Sequence, residues 1–267
     1  MKINSVACIG CGVMGSALIK AVCKTVDPGR VFVSDADPEK AEKTAAAMGC
    51  HAVSNRDAVR AADCIFLAVK PAHIGPVLGE LGEDSRNKLF VSMAAGVTLG
   101  ALADAAAENT KLIRIMPNVP VLVGEGMIGI SPGPGISAEE LVAVRELLAA
   151  AGLTEVVPET LMDGVTAVSG SGPAYGFIFI EALADAAVRF GIPREQAVRY
   201  AAQTLKGAAA MVLETGRNPG ELKDSVCSPA GTTIEAVYAL ERGGFRAAVM
   251  EAAEAAWIRS KELGETR

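Results

Sequence analysis

The sequence lacks any apolar run long enough to cross a membrane. Hydrophobic residues make up 51% of the 267 residues and aromatic residues only 4%, but charges interrupt the apolar stretches before they reach the ~20 residues that a membrane helix needs. The first ten residues hold one lysine and a short apolar run that leads into a glycine-rich turn, not into a small-residue cleavage site. This pattern predicts a first β-strand and not a signal peptide. We therefore expect a cytoplasmic protein with no membrane partner.

Paired cysteines and basic clusters are also missing. The six cysteines are scattered without a CxxC pair, which in a chain of this length indicates neither a disulfide framework nor a zinc site. We expect reduced thiols and no metal. The net charge is −6 and no Lys/Arg cluster offsets it, which disfavours nucleic acid and favours a small-molecule partner.

In the first half of the chain, short β-branched runs alternate with amphipathic Ala-rich stretches. This alternation predicts a parallel, doubly wound, Rossmann-type sheet. The predicted strands are Ile3–Ile9, Val31–Ser34, Cys64–Val69, Leu89–Met93, Leu112–Met116, Met127–Ile130 and Leu153–Val157. The predicted helices are Gly15–Thr25, Pro38–Met48, Thr98–Glu108 and Ser137–Ala151.

Near residue 160 the pattern changes to long helical stretches. We therefore predict an α/β dinucleotide-binding domain over residues 1–160 and an all-helical domain over 161–267 that binds substrate and dimerises. The predicted helices are Gly172–Phe190, Pro193–Thr215, Gly231–Glu241 and Phe245–Leu263. Residues 174–180 are apolar all round a helix, and a helical domain of ~100 residues cannot easily enclose such a segment alone. This predicts a homodimer.

A G-x-G-x-x-G motif joins the first strand to the first helix. In Gly10-Cys11-Gly12-Val13-Met14-Gly15, the glycines permit a tight turn, a close approach of pyrophosphate to the backbone, and close packing of helix on strand. The motif alone is also compatible with an ordinary turn. Asp35, twenty residues beyond Gly15 at the end of the second strand, completes the fingerprint of a dinucleotide site.

The choice between NADH and NADPH stays open. A carboxylate at Asp35 would accept a hydrogen bond from the ribose 2′-hydroxyl and repel a 2′-phosphate, and Ser34-Asp35-Ala36-Asp37 contains no arginine. Asp35 is also compatible with a solvent-facing turn. Arg56, which follows Asn55, could reach a 2′-phosphate.

A second anion site is indicated in the helical half. Residues 222–236 pass from polar residues through Pro229 and Gly231 into a helix, with hydroxyls on Ser228, Thr232 and Thr233. The backbone N–H groups of a helix start bind a carboxylate well. The same pattern is also typical of a structural Ser/Thr N-cap.

The sequence closely resembles the pyrroline-5-carboxylate reductase family. Four blocks carry the resemblance and span nearly the whole chain in the right order. They are Ala68-Val69-Lys70-Pro71, Met116-Pro117-Asn118-Val119-Pro120, Ser169-Gly170-Ser171-Gly172-Pro173-Ala174-Tyr175 and the stretch Ser225–Glu241. The resemblance implies reduction of 1-pyrroline-5-carboxylate to L-proline by NADPH or NADH, a dimer interlocked through the C-terminal helices, and in many cases a ring of such dimers.

The resemblance also implies roles for individual residues. Ser228, Gly231, Thr232 and Thr233 would hold the substrate carboxylate, with the Thr233 hydroxyl near the imine nitrogen as the catalytic group. Ala68, Val69, Lys70, Pro71 and Ala95 would lie along the nicotinamide and its ribose, and Asn55 near the adenosine. The chain departs from many relatives at Ala230, where they have Gly, and at Asp35 with Ala36, where relatives that favour NADPH tend to carry polar or basic residues.

The chain has few histidines, which affects the choice between a ketone and an imine as the substrate. A ketone substrate would need a proton donor for the developing alkoxide, commonly a His or Lys, but the chain has only His51 and His73. We interpret His51 as structural, and His73 and Lys70 as possible neighbours of the cofactor. An imine has less need of a strong acid because its nitrogen can be protonated before hydride arrives, so the composition suits an imine better.

Two alternatives have different sequence requirements. A β-hydroxyacid dehydrogenase would place a lysine and an asparagine after a G-x-G, but those positions here are Gly176 and Ile180. A nucleotide-sensing regulator would bind NAD(P) and a partner protein without turnover, and it leaves the Ser/Thr loop unexplained.

Overall fold

In a computed structural model that describes residues 2–265, eight strands form one sheet, and its central strands are buried apolar runs. The strands are β1 Val6–Ile9, β2 Val31–Ser34, β3 His51–Ala52, β4 Cys64–Leu67, β5 Leu89–Ser92, β6 Lys111–Met116, β7 Gly126–Pro132 and β8 Gly152–Val156. Their order is β3-β2-β1-β4-β5-β6-β7-β8. All neighbouring pairs are parallel except β6 with β7.

The helices connect these strands and then make up the rest of the chain. They are α1 Val13–Val22, α2 Pro38–Met48, α3 Asn55–Ala61, α4 Ile74–Leu81, α5 Leu99–Ala105, α6 Ala138–Leu148, α7 Met162–Val165, α8 Gly172–Arg189, α9 Arg194–Thr215, α10 Pro219–Ser225, α11 Thr232–Arg242 and α12 Phe245–Glu265. A π-helical turn, Thr166–Gly170, follows α7. Among the described residues, no helix is long and apolar enough to span a membrane.

Alternate residues of the central strands pack into two separate cores. Val6 and Cys8 of β1 belong to one core, and Ala7 and Ile9 belong to the other. Because side chains alternate between the faces of a strand, the sheet is buried on both sides, as a doubly wound parallel sheet requires.

The chain divides into two compact units. The first contains the residues up to Ser171 and those from Ala256 onward, and the second is Gly172–Ala255. Within the first unit, the Ser260 hydroxyl near the end of α12 donates a hydrogen bond to Asp163 Oδ1 over 2.6 Å, which attaches the end of the chain to α7. The expected domain boundary after residue 160 stays a prediction.

The sheet is mostly parallel, as predicted, but β6 and β7 are antiparallel. Only residues 117–125 separate these strands, whereas a parallel crossover needs a dozen or more residues. Helices α3, α4, α7 and α10 were not predicted, and β1 begins three residues later than expected.

Candidate functional site

The glycines of the G-x-G-x-x-G motif meet the steric demands predicted for them. Gly10 has φ +106, and a Cβ there would lie 2.7 Å from the backbone of Ala68. A Cβ on Gly15 would lie 2.1 Å from the Gly10 carbonyl oxygen and 2.8 Å from the Ala68 Cβ. Side chains at either position would force the loop away from β4, so both glycines are required by packing.

Gly12 differs from its two neighbours in the motif. A Cβ on Gly12 would meet no atom within 4 Å, and its φ of −69 suits any residue. Gly12 is also the N-cap of α1, where no side chain caps the helix and the first turn has no acidic residue. The open space and the uncapped N–H groups fit the pyrophosphate of a dinucleotide.

The predicted cofactor residues follow neighbouring strands at one edge of the sheet. Gly10 follows β1, Asp35 follows β2, Asn55 opens α3 after β3, Ala68 follows β4 and Ala95 lies three residues beyond β5. Backbone hydrogen bonds hold this edge together, from Gly10 N–H to Ser34 O over 2.8 Å and from Ala68 N–H to Ile9 O over 2.8 Å. The strand order reverses between β1 and β4, the point at which open α/β sheets bind ligands.

Asp35 and Ser34 connect the second strand to the glycine loop. Asp35 Oδ2 accepts a hydrogen bond from the Cys11 N–H over 2.7 Å, and Asp35 Oδ1 accepts one from the Asp37 N–H over 2.9 Å. The Ser34 hydroxyl is buried and has no hydrogen-bond partner among the described residues. Asp35 is therefore more than a solvent-facing turn residue, since its carboxylate fastens the motif to β2.

The polar residues at the start of α3 are engaged with α4. Asn55 Nδ2 donates to Glu80 Oε2 over 2.9 Å, and Arg56 Nη2 donates to the Glu80 carbonyl oxygen over 2.7 Å. Arg56 also lies 3.6 Å from Asp84. These contacts direct the Arg56 guanidinium toward the far end of α4, so it already has acceptors of its own.

The loop before α11 combines an uncapped helix start with hydroxyl groups. The N-cap of α11 is Gly231, and no side chain accepts a hydrogen bond from its first turn, so the structural Ser/Thr cap considered from the sequence is absent. The Gly231 N–H donates to the Ser228 carbonyl oxygen over 3.0 Å. A Cβ on Gly231 would lie 2.2 Å from Ser228 Oγ and 3.1 Å from the Ser228 carbonyl oxygen, so a larger residue there would require the Ser228 hydroxyl to move. Ala230, where the family resemblance predicts Gly, has φ +56, a left-handed conformation that glycine adopts more easily.

Among the described residues, the contacts of the two histidines and of Lys70 are structural: the Lys70 carbonyl oxygen accepts a hydrogen bond from the His73 N–H over 2.8 Å. The His51 ring stacks on Phe32 at 5.5 Å, and its Nε2 lies 3.1 Å from the Gly29 carbonyl oxygen, in keeping with a structural residue. His73 and Lys70 are exposed. Within the described residues, no group of three His, Cys, Asp or Glu side chains could hold a metal ion.

Asn118 makes buried side-chain hydrogen bonds that could not be predicted from the sequence. Its Nδ2 donates to the Ser169 carbonyl oxygen over 3.1 Å, and its Oδ1 accepts from the Met127 N–H over 2.9 Å. The buried amide thus attaches the π-helical turn Thr166–Gly170 to the start of β7. Its position between Pro117 and Pro120 in a family block was the only available signal.

Comparisons with known proteins decide the family. The pyrroline-5-carboxylate reductase of Methanosarcina acetivorans is 46% identical over 99% of this chain and 100% of its own length. That of Escherichia coli is 45% identical over 97% of both chains. The chain belongs to the pyrroline-5-carboxylate reductase family. The family predicted from the four sequence blocks is thus confirmed, and with it an NAD(P)H-dependent reductase.

Family models and solved structures agree with this assignment. A model described as pyrroline-5-carboxylate reductase dimerisation matches residues 159–263, and one described as NADP oxidoreductase, coenzyme F420-dependent, matches residues 5–96. The structure of the Coxiella burnetii pyrroline-5-carboxylate reductase superposes with a TM-score of 0.90 at 33% identity, over 97% of this chain and 98% of that one. The Plasmodium falciparum reductase, solved with NADP bound, gives 0.88 at 33% identity over 99% of both chains. The predicted Rossmann-plus-helical fold class is confirmed.

Proposed function

We propose that this protein reduces 1-pyrroline-5-carboxylate to L-proline, the last step of proline biosynthesis, with NADH or NADPH as the hydride donor. The observation that carries the proposal is the loop before α11, where an uncapped helix start stands beside the hydroxyls of Thr232 and Thr233. In a member of this reductase family, that combination is suited to a small anionic substrate with a polar ring atom.

The substrate carboxylate is held by the start of α11. The N–H groups of the first helical turn carry the positive end of the helix dipole and bind an anion without a charged side chain. Because residue 231 is glycine, no Cβ stands between the substrate carboxylate and the start of α11. The hydrogen-bonded turn from Ser228 to Gly231 places the Ser228 hydroxyl beside Gly231, as a third hydroxyl next to those of Thr232 and Thr233. The carboxylate-binding residues are accordingly Ser228, Gly231, Thr232 and Thr233.

Thr233 orients the imine nitrogen. In the reaction a hydride adds to the imine carbon, and the nitrogen, which takes up one proton, becomes a secondary amine. Because that nitrogen is basic enough to be protonated before the hydride arrives, a hydroxyl that positions it suffices. Among the described residues, the Thr233 hydroxyl makes no hydrogen bond within the chain, which leaves it available to the substrate.

The bound nicotinamide supplies the hydride, and the chain positions it. Gly10, Gly12, Val13, Met14 and Gly15 hold the pyrophosphate at the start of α1, Ser34 and Asp35 define the ribose site, and Asn55 borders the adenosine. Ala68, Val69, Lys70, Pro71 and Ala95 line the nicotinamide end. The family resemblance implies the roles of Asn55, Ala68–Pro71 and Ala95, and the shared edge of the sheet and the open space at Gly12 support the assignments.

A second copy of the chain covers the helices of the unit Gly172–Ala255. Its only buried apolar residues are Ala184, Ala197, Ala201 and Leu222, all small except the last. Large side chains are left exposed, among them Phe177 at 61%, Ile178 at 66% and Phe190 at 76%. Covering each such side chain contributes about 1.5–3 kcal/mol, so the missing core of this unit is supplied by dimerisation.

We expect the wild-type protein to sediment as a dimer or larger at micromolar concentration, and Ile178→Asp to dissociate it, because a buried unpaired carboxylate opposes association. Analytical ultracentrifugation measures this directly. Val142→Asp is the matched control, since Val142 is 53% exposed on α6 of the first unit and should leave the oligomer intact. A monomeric wild-type protein would contradict the dimer.

Three further properties belong to the same proposal. Dimers assemble into a larger ring, as the family resemblance implies, and the same sedimentation experiment gives its size. The net charge of −6 supports a protein that does not bind nucleic acid. Six unpaired thiols support a cytoplasmic location, because disulfides are rare there.

A direct test mixes the purified protein with 1-pyrroline-5-carboxylate and either NADH or NADPH. We expect oxidation of the cofactor with proline formed in equal amount. Folded protein that binds the cofactor but oxidises neither form would favour the nucleotide-sensing regulator instead.

A further inference from the structure

In the turn between β2 and α2, the backbone N–H groups that could bind an anion already donate hydrogen bonds to aspartate side chains of the chain itself. Asp35 accepts hydrogen bonds from the N–H groups of Cys11 and Asp37, over 2.7 and 2.9 Å. Asp37, the N-cap of α2, in turn accepts from the Glu39 N–H over 3.2 Å. The backbone donors of this turn therefore already face negative charge from the chain itself.

This arrangement bears on the ribose that binds at the end of β2. A 2′-phosphate needs backbone N–H groups or cations for its oxygens. Here it would have to displace Asp35 and Asp37 from their donors and would lie beside their charges. A 2′-hydroxyl, by contrast, can donate a hydrogen bond to the Asp35 carboxylate, whose oxygens can each accept a second bond.

Nearby basic residues do not offset the negative charge that Asp35 and Asp37 place at the ribose site. Arg56 is engaged by the Glu80 carbonyl oxygen and lies beside Asp84. Lys40 and Lys43 each lie 3.4 Å from an acidic residue of the same turn, Asp37 and Glu39 respectively. Each lysine is thus matched by a carboxylate at the place where a 2′-phosphate would need an excess of positive charge.

We propose that Asp35 and Asp37 together make the ribose site of this chain selective for NADH over NADPH. The inference rests on the proposed function only in that the glycine loop binds a nicotinamide dinucleotide.

Isothermal titration calorimetry of the full-length protein with NADH and with NADPH, in the absence of substrate, tests the proposal. The wild-type protein should bind NADH more tightly by at least about tenfold. Asp37→Asn should reduce that ratio severalfold, because Asn caps a helix as well as Asp but carries no charge. Asp35→Asn should reduce it further.

The matched control is Asp27→Asn. Asp27 also caps a short helix, accepting from the Gly29 N–H over 2.9 Å, but it lies at the opposite end of β2. Its substitution should therefore leave the ratio of NADH to NADPH affinity unchanged.

Wild-type protein that binds NADPH as tightly as NADH would overturn the proposal, as would an unchanged affinity ratio in folded Asp37→Asn and Asp35→Asn. Binding is measured without turnover, so the two proposals can fail separately. Tighter binding of NADH without proline formation would contradict only the proposed function. Proline formation with tighter binding of NADPH would contradict only the proposed selectivity for NADH.

Discussion

Gly12→Ala is expected to weaken dinucleotide binding by on the order of a hundredfold while leaving thermal stability unchanged. The reason is that Gly12 has an unstrained φ of −69 and open space where its Cβ would be. In the free protein a methyl group there touches nothing. In the complex it stands between the pyrophosphate and the first N–H groups of α1, and the loss of one or two hydrogen bonds to a charged group, at about 1.5–3 kcal/mol each, corresponds to about this factor.

Gly15→Ala is the informative comparison for this prediction. A Cβ at Gly15 would lie 2.1 Å from the Gly10 carbonyl oxygen, so this variant should lose stability as well as affinity. Calorimetry with the preferred cofactor and a thermal melt separate the two effects. If Gly12→Ala bound the cofactor like the wild type, the pyrophosphate would not lie at this turn.

Thr233→Ala is expected to lower kcat by about a hundredfold with little change in cofactor affinity. Removing one positioned hydrogen-bonding group from a reacting centre typically costs 10²–10³ in rate. We expect the low end, because an imine nitrogen can be protonated before hydride transfer. Thr233 is the second residue of α11, where Ala is well tolerated, so the helix itself should persist.

Thr233→Ser provides the control, because it keeps the hydroxyl and removes only a methyl group. It should retain most of the wild-type turnover. Steady-state rates with each variant, together with cofactor affinity by calorimetry, distinguish the cases. Equal kcat for Thr233→Ala and the wild type would remove Thr233 from the mechanism.

Features set by short-range pattern could be predicted from the sequence. Strand β2 and helix α2 were predicted with the bounds that the structure has, because a β-branched run and a Pro at the first helical position are strong local signals. The glycine motif was recognisable for the same reason. Its three glycines, the strand before it and Asp35 beyond it all lie within one short stretch of sequence.

Features set by tertiary packing could not be predicted. Helix α4 contains Gly75, Pro76 and Gly79, which argue locally against a helix, yet Ile74, Leu78 and Leu81 are buried at helical spacing. The contacts of Asp35 with Cys11 and of Arg56 with Glu80 join residues 24 positions apart. No local pattern encodes such pairs, and they are what turn an undecided cofactor choice into a specific proposal.

The most direct test of imine reduction follows the transferred hydride. The enzyme would be given 1-pyrroline-5-carboxylate and NADH carrying deuterium at the transferable position of nicotinamide C4, and the product examined by mass spectrometry and NMR. We predict L-proline with one deuterium on the ring carbon that was the imine carbon. Proline without deuterium at that carbon, or no proline from folded protein that binds the cofactor, would contradict direct reduction of the imine.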